Sequence, residues 1–186
     1  MGLNLKKSDT SIRIGEVRFS YAYVFSPNPN AKDKDGNLKY TCCILIPKSN
    51  KEAIKLIEEA TNAAAINGKE TKPEWKGKTP PLLKKPLRDG DVEKADDDPT
   101  YEGMMFLNCS NKRKPGVQVL DDGMRYEASE DDFYSGCWGA VTLNFYPYAT
   151  SGNNGVGVSL GNCIKLRDDD RLGGGGESAD SSFSDL

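Results

Sequence analysis

Histidine is absent from the 186-residue sequence. That absence removes Ser-His-Asp and Cys-His catalysis, imidazole-ligated metal sites and histidine-based pH switching. No apolar run approaches the ~18 residues of a membrane helix, so no membrane partner is expected. The N-terminal MGLNLKKSDTSIRIG lacks the apolar stretch of a secretory signal. Cysteines at 42, 43, 109, 137 and 163 form no C-x-x-C pair. This argues against a zinc ribbon and for reduced thiols in a cytoplasmic protein. A P-loop, a G-x-S-x-G elbow and a calcium-binding loop are also missing, and no cofactor is expected.

What is present is segmented charge. The formal net charge of −3 conceals a balance of +8 over residues 1–88, −6 over 89–167 and −5 over 168–186. A basic first half and an acidic terminal segment are the arrangement to explain. Hydrophobic residues make up 37% of the chain, enough for one core in one domain.

Period-two alternation marks the strands. Residues 12–25 alternate with Val17, Phe19, Tyr21, Tyr23 and Phe25 on one face. The phase switches at Gly15, as a bulge would make it do. Residues 26–36 are turn-formers. Residues 37–47 place Leu38, Tyr40, Cys42, Ile44 and Ile46 on one face and Lys39, Thr41, Cys43 and Leu45 on the other. Residues 51–67 read as an amphipathic helix, with Ser49 as N-cap and Gly68 as stop. Residues 69–88 carry four prolines and a run of lysines around Trp75, the composition of a long basic loop. Further strands are expected at 102–110, 117–120, 136–148 and 156–166. Strand–strand–helix–strand–strand–strand suits a mainly β fold, a five-stranded oligonucleotide-binding-type barrel with one short α-helix and long loops. Another β-barrel or a sandwich stays open on these grounds. The expected domain spans 1–167, followed by a flexible acidic tail over 168–186 whose four glycines and Ser, Asp and Glu residues describe a linker.

Two constellations carry the functional reading. The first is aromatic and basic. Tyr21, Tyr23, Tyr40, Trp75, Trp138, Tyr146 and Tyr148 could stack bases, and Lys34, Lys39, Lys76, Lys78, Lys112, Arg113 and Lys114 could engage phosphates. The bland alternative is that the rings fill the core and the charges are solvated turns. The second is the tail, in which Asp180, Phe183, Asp185 and Leu186 could occupy a basic groove or dock on a partner. Clustered acids at 96–98, 130–132 and 168–170 could in principle hold magnesium for a nuclease. Consecutive carboxylates seldom converge on one ion, so solvated turns are the better reading. A structural or decoration protein is the other alternative.

The segments Phe133-Tyr134-Ser135-Gly136-Cys137-Trp138-Gly139, Asn144-Phe145-Tyr146-Pro147-Tyr148, Gly155–Gly161 and Arg171-Leu172-Gly173-Gly174 resemble a family of phage and prophage single-stranded DNA-binding proteins. The stretches RFSYAYVFSP and KYTCCILIPK look like the same family, so the match takes in nearly the whole chain. The resemblance implies an oligonucleotide-binding barrel with an acidic, aromatic-bearing tail. It implies a non-enzymatic protein that binds, protects and anneals single strands in phage replication or recombination in the host cytoplasm. Its partners would be single-stranded DNA and, through the tail, a phage DNA polymerase, helicase/primase or recombinase. A homodimer stays open. Here Phe183 is followed by three residues, whereas the best-known tails of this kind end on or next to the aromatic.

Overall fold

The computed structural model describes residues 2–173. Seven strands carry the architecture: Ser11–Lys32 (β1), Leu38–Pro47 (β2), Met104–Asn111 (β3), Val117–Asp121 (β4), Met124–Glu127 (β5), Trp138–Thr150 (β6) and Asn153–Arg167 (β7). One long helix, Lys51–Thr71 (α1), joins β2 to the segment before β3. β1 pairs antiparallel with β2 and with β6, β2 with β3, and β6 with β7. A parallel pairing of Ser110 on β3 with Ser159 on β7 closes the barrel.

The interior is the inward set of each strand: Ile12, Ile14, Val17, Phe19 and Val24 from β1, Cys42, Ile44 and Ile46 from β2, and Leu143, Phe145, Val158 and Leu160 from the β6–β7 hairpin. α1 lays Ala53, Ile57, Ala60 and Ala64 over them. Its N-cap is Asn50 rather than Ser49. The Asn50 carboxamide oxygen accepts from the Ala53 N–H at 3.2 Å, and its nitrogen donates to the Gly15 carbonyl at 2.8 Å. One side chain thus caps the helix and ties it to the bend in β1.

That bend is the bulge expected at Gly15. The β1–β6 register shifts between Ile14 and Val17, and Glu16 adopts φ 53°. A second bulge was not legible. The β1–β2 register shifts between Ser20 and Tyr23, with Tyr21 at φ 46°. Val17 and Phe19 therefore face the core, while Tyr21 lies 60% exposed and Val24 is buried. The expected single face from Val17 to Phe25 is corrected: the bulge rotates the tyrosines outward.

Four further expectations change. β1 continues through the turn-formers to Lys32, because Asn28 and Lys32 still pair with Lys39 and Leu38 across the hairpin. Strand β5 has no counterpart among the expected strands. It follows a tight turn in which Asp122 and Gly123 both have positive φ, 46° and 77°, the geometry of a type I′ hairpin. The helix does not stop at Gly68, whose missing side chain admits the indole of Trp75; a Cβ there would overlap the ring. Trp75, read from sequence as an exposed base-stacking residue, is 4% exposed, and its Nε1 donates to the Asn154 Oδ1 at 3.0 Å. It pins the basic loop to the β6–β7 hairpin, and its buried ring is closed to stacking.

Gly68→Ala forces that indole out of its seat. Urea unfolding should show a loss of about 1–3 kcal/mol, the usual cost of overpacking a filled site, with a red shift of native tryptophan emission. Unchanged stability would mean that the indole seat tolerates a methyl group.

Candidate nucleic-acid interface

Strand pairing fixes which residues share the outer surface. Tyr23 lies opposite Thr41, Thr41 opposite Ser110, Ser110 opposite Ser159, Ser159 opposite Asn144, and Asn144 opposite Ser11. Their neighbours Val24, Cys42, Cys109, Leu160, Leu143 and Ile12 point inward and are buried. One unbroken row of phenol, hydroxyl and carboxamide groups therefore crosses all five barrel strands. It returns to β1 twelve residues from its start, the stagger that closing a barrel requires.

The Tyr23 end of this row is a groove of about 550 Å³, lined by Tyr21, Tyr23, Lys39, Thr41, Asn108 and Ser110. Asn28 donates to the Thr41 hydroxyl at 3.0 Å and holds the β1–β2 arm over it. The lower part of the same sheet face is filled by Cys43, Leu45, Phe106 and Tyr101, the last two edge to face at 5.1 Å, with the Arg88 guanidinium 4.9 Å above the Phe106 ring. Burial pushes the Cys43 thiol up to about 11. The segment between α1 and β3 thus covers the apolar half of the face and leaves the polar half open. Past Tyr21 and Tyr23 the groove runs into a second depression of about 370 Å³ bounded by Ser20, Asp98, Thr100, Ser135 and Leu172.

The cations divide. Lys39 lines the groove, and so does Lys32, which the sequence did not single out. Lys34 is exposed in the β1–β2 turn, where the Asp33 carboxylate accepts from the Asp35 and Asn37 N–H groups. Lys112 is paired with Asp33 at 2.8 Å, which holds that carboxyl far below the usual range. Lys112 clamps two loops at the groove's end, and Arg113 and Lys114 beside it are exposed. Lys76 and Lys78 are exposed on the loop after Trp75 and do not line the groove.

The remaining aromatics also divide. Tyr40 falls on the inward phase of β2 with Cys42, opposite Asn111, and is half-buried. Its place in the groove is corrected by strand parity. Trp138 lies outside, but its ring already has partners: it is flanked by the Arg18 and Arg167 guanidiniums at 5.8 and 4.2 Å from the ring centroid, and its Nε1 donates to Asp169 at 2.8 Å. It is an anchor rather than an open stacking surface. Tyr146 and Tyr148 are paired across strands with Gly157 and Gly155 on the outer face of β6–β7.

The anchor holds the start of the acidic segment. The Tyr134 hydroxyl donates to the Asp168 carboxylate at 2.7 Å, Lys165 pairs with it at 2.7 Å, and Arg171 lies 4.3 Å over the Tyr134 ring. The Leu172 N–H donates to the Ser135 carbonyl at 2.8 Å. Contacts with the barrel therefore continue through Leu172, beyond the expected boundary at 167, and deliver the chain to the rim of the groove beside Tyr21 and Tyr23. The tail residues Asp180, Phe183, Asp185 and Leu186 lie outside the described residues.

A closed five-stranded barrel with a tyrosine-lined polar groove across its strands is an oligonucleotide-binding-type barrel. The family model described as "Enterobacter phage Enc34, ssDNA-binding protein" matches residues 10–186, and the chain belongs to that family. The chain is similar to "Putative protein p50" of Acyrthosiphon pisum secondary endosymbiont phage 1, at 31% identity over 180 residues covering 94% of this chain and 93% of that protein. In structure it resembles the single-stranded DNA-binding protein from bacteriophage Enc34 in complex with ssDNA, with a TM-score of 0.71 at 22% identity over 92% of this chain and 98% of that one. It also resembles gp2.5, a single-stranded DNA binding protein encoded by bacteriophage T7, with a TM-score of 0.56 at 15% identity over 93% and 96% of the two chains. Membership in this family makes the chain a binding protein rather than an enzyme.

The Trp138 indole N–H holds the Asp169 carboxyl below its ordinary range, helped by the Asp170 N–H and by Arg18 and Arg167. A carboxyl with a depressed folded-state pKa stabilises above its unfolded value, about 3.9, and loses that contribution as pH falls through the folded value. In a Trp75→Phe background, Trp138 emission should therefore stay constant from pH 7 to about 4 and change below it. Asp169→Asn should remove the transition. Persistence of the transition in that variant would assign it to another carboxyl.

Proposed function

We propose that this protein binds single-stranded DNA without sequence preference and coats strands exposed in phage DNA replication or recombination within the host cytoplasm. The observation that carries the reading is the outward pair Tyr21 and Tyr23 over a floor of Thr41, Asn108 and Ser110 with Lys32 and Lys39 in the lining. Tyrosine rings stack on any base, and lysines neutralise phosphates whatever the sequence. The short hydroxyl and amide groups between them let a flexible strand lie close to the sheet. Family membership supports the same reading, as does the bound strand named for the Enc34 protein.

The tail reading rests on position. The described chain reaches Gly173 at the groove rim, and residues 174–186 carry Glu177, Asp180 and Asp185 with no cation. From there the tail competes for the groove at high effective concentration. When a strand displaces it, Phe183 and Leu186 become available to a replication or recombination protein.

Titration of labelled dT oligomers at two salt concentrations should show binding that weakens as salt rises. Tyr21→Ala and Tyr23→Ala should each weaken it by roughly 5- to 100-fold. Absence of binding by the intact protein at low salt would refute the reading. Removal of residues 174–186, which spares the docked stretch 168–172, should tighten binding most at low salt. Equal or weaker affinity would end the competition model while leaving the groove intact.

A further inference from the structure

The β4–β5 hairpin is joined to the barrel through β4. Val117 and Val119 are buried, and Val117, Gln118 and Val119 pair in parallel with Cys163, Ile164 and Lys165 of β7. Among the described residues β5 pairs with β4 alone, and all four of its residues are exposed. Met124 is 70% exposed and Tyr126 45%. A strand that buries none of its own side chains and stands at the end of a sheet is an open edge. This one has no proline, lysine or bulge to blunt it.

Hydrogen-bond parity fixes what the edge offers. The Ala128 N–H donates to the Val117 carbonyl at 2.9 Å. Bonded and non-bonded pairs alternate along an antiparallel ladder, so Val119 with Tyr126 and Asp121 with Met124 are bonded pairs too. The N–H and C=O groups of Arg125 and Glu127 therefore point away from β4. Past them the edge stops, because the Asp132 carboxylate accepts from the Ser129 N–H at 2.8 Å and the chain turns. The side chains of Arg125 and Glu127 share one face of the sheet, and those of Met124 and Tyr126 share the other.

A second copy of this edge complements it in one register. Two-fold antiparallel pairing through these groups sets Arg125 opposite the partner's Arg125, Glu127 opposite the partner's Glu127, or Arg125 opposite the partner's Glu127. The first two put like charges directly across the ladder, which destabilises it. The third exchanges four backbone hydrogen bonds between two opposite-charge pairs. It also sets Tyr126 on the two-fold axis against the partner's Tyr126, a non-bonded pair with Cα atoms ~4.5 Å apart, so each exposed ring covers the other. We infer that β5 is a self-pairing edge through which two copies of this chain form a symmetric dimer in that register. The inference is independent of the DNA-binding reading. So short an edge buries far less than the ~1,200 Å² of a stable standard interface, so the dimer is reversible and concentration-dependent.

Sedimentation of the full chain without DNA, from about 10 μM to about 1 mM, should show monomer passing to dimer. Arg125→Glu and Glu127→Arg each place like charges across the axis and should stay monomeric, with the parent's melting temperature showing that the hairpin still folds. An equimolar mixture of the two variants restores both opposite-charge pairs and should dimerise, as should the double variant. Tyr126→Cys tests the register separately. The five native cysteines are buried, so a mild oxidant should link this variant across the axis, the Cα separation being within disulfide reach. Met124→Cys, about 13 Å from its symmetry mate, should not link. A chain that is monomeric throughout, single charge variants that dimerise as the parent does, a mixture that stays monomeric, or linking at 124 in place of 126 overturns the inference. Titration with dT decides the DNA-binding reading and leaves this one untouched.

Discussion

In a closed barrel every strand residue points in or out, so the left-handed backbone of Tyr21 decides what the first strand presents. Had the alternation of Val17 and Phe19 run on unbroken, Tyr21 and Tyr23 would have carried two hydroxyls into an apolar interior. A non-glycine residue in that region costs of order 1–3 kcal/mol and persists only where its surroundings over-determine it. The surroundings are visible. The Ser135 hydroxyl accepts the Ala22 N–H, which the bulge takes out of the ladder, at 3.0 Å. The Gly136 N–H donates to the Phe19 carbonyl at 2.7 Å, and the Phe19 N–H to the Cys137 carbonyl at 3.0 Å. The Phe133 ring packs on Phe19 at 4.7 Å between centroids.

The stretch Phe133–Trp138 is therefore the brace that holds the groove's aromatics outward, and it also governs the acidic segment. Ser135 receives the Leu172 N–H on its carbonyl while its hydroxyl holds the bulge. Gly136, at φ 116°, leaves room for the Asp170 carbonyl where a side chain would collide with it. Trp138 fixes Asp169. One short motif sets both the shape of the groove and the place where residues 169–172 meet the barrel. That makes the motif's density of aromatic and small residues intelligible, since each one answers a different steric demand.

The barrel was legible from sequence because period-two alternation over long strands reports burial directly, and the bulge at Glu16 because Gly15 breaks that alternation. The bulge at Tyr21 left no such mark: the run Val17, Phe19, Tyr21, Tyr23, Phe25 looks like uninterrupted alternation, and only tertiary pairing turns its two tyrosines outward. Trp75 misled for the opposite reason. A lone tryptophan among prolines and lysines reads as exposed, yet its partner is Gly68 on the helix, which reads as a helix stop. The polar row was hidden because Thr41, Ser110, Ser159 and Asn144 are far apart in the chain and individually ordinary. Asn144 and the glycines of β7 lay within segments the sequence did single out, but their meaning depends on which strand lies beside which.

The placement of the acids divides the terminal segment into two parts with different work. Asp168 and Asp169 have fixed partners on the barrel, namely Lys165, Tyr134, Trp138 and Arg18. Carboxylates bound in this way, each with its protonation suppressed by its partner, do not compete for phosphate sites in the groove. They hold the chain to its exit. In the proposed competition the competing charge is that of Glu177, Asp180 and Asp185, which follow the glycine run in the sequence. In the proposed competition, an anchor at 168–172 that is separate from the competing acids would keep the tail's effective concentration at the groove high.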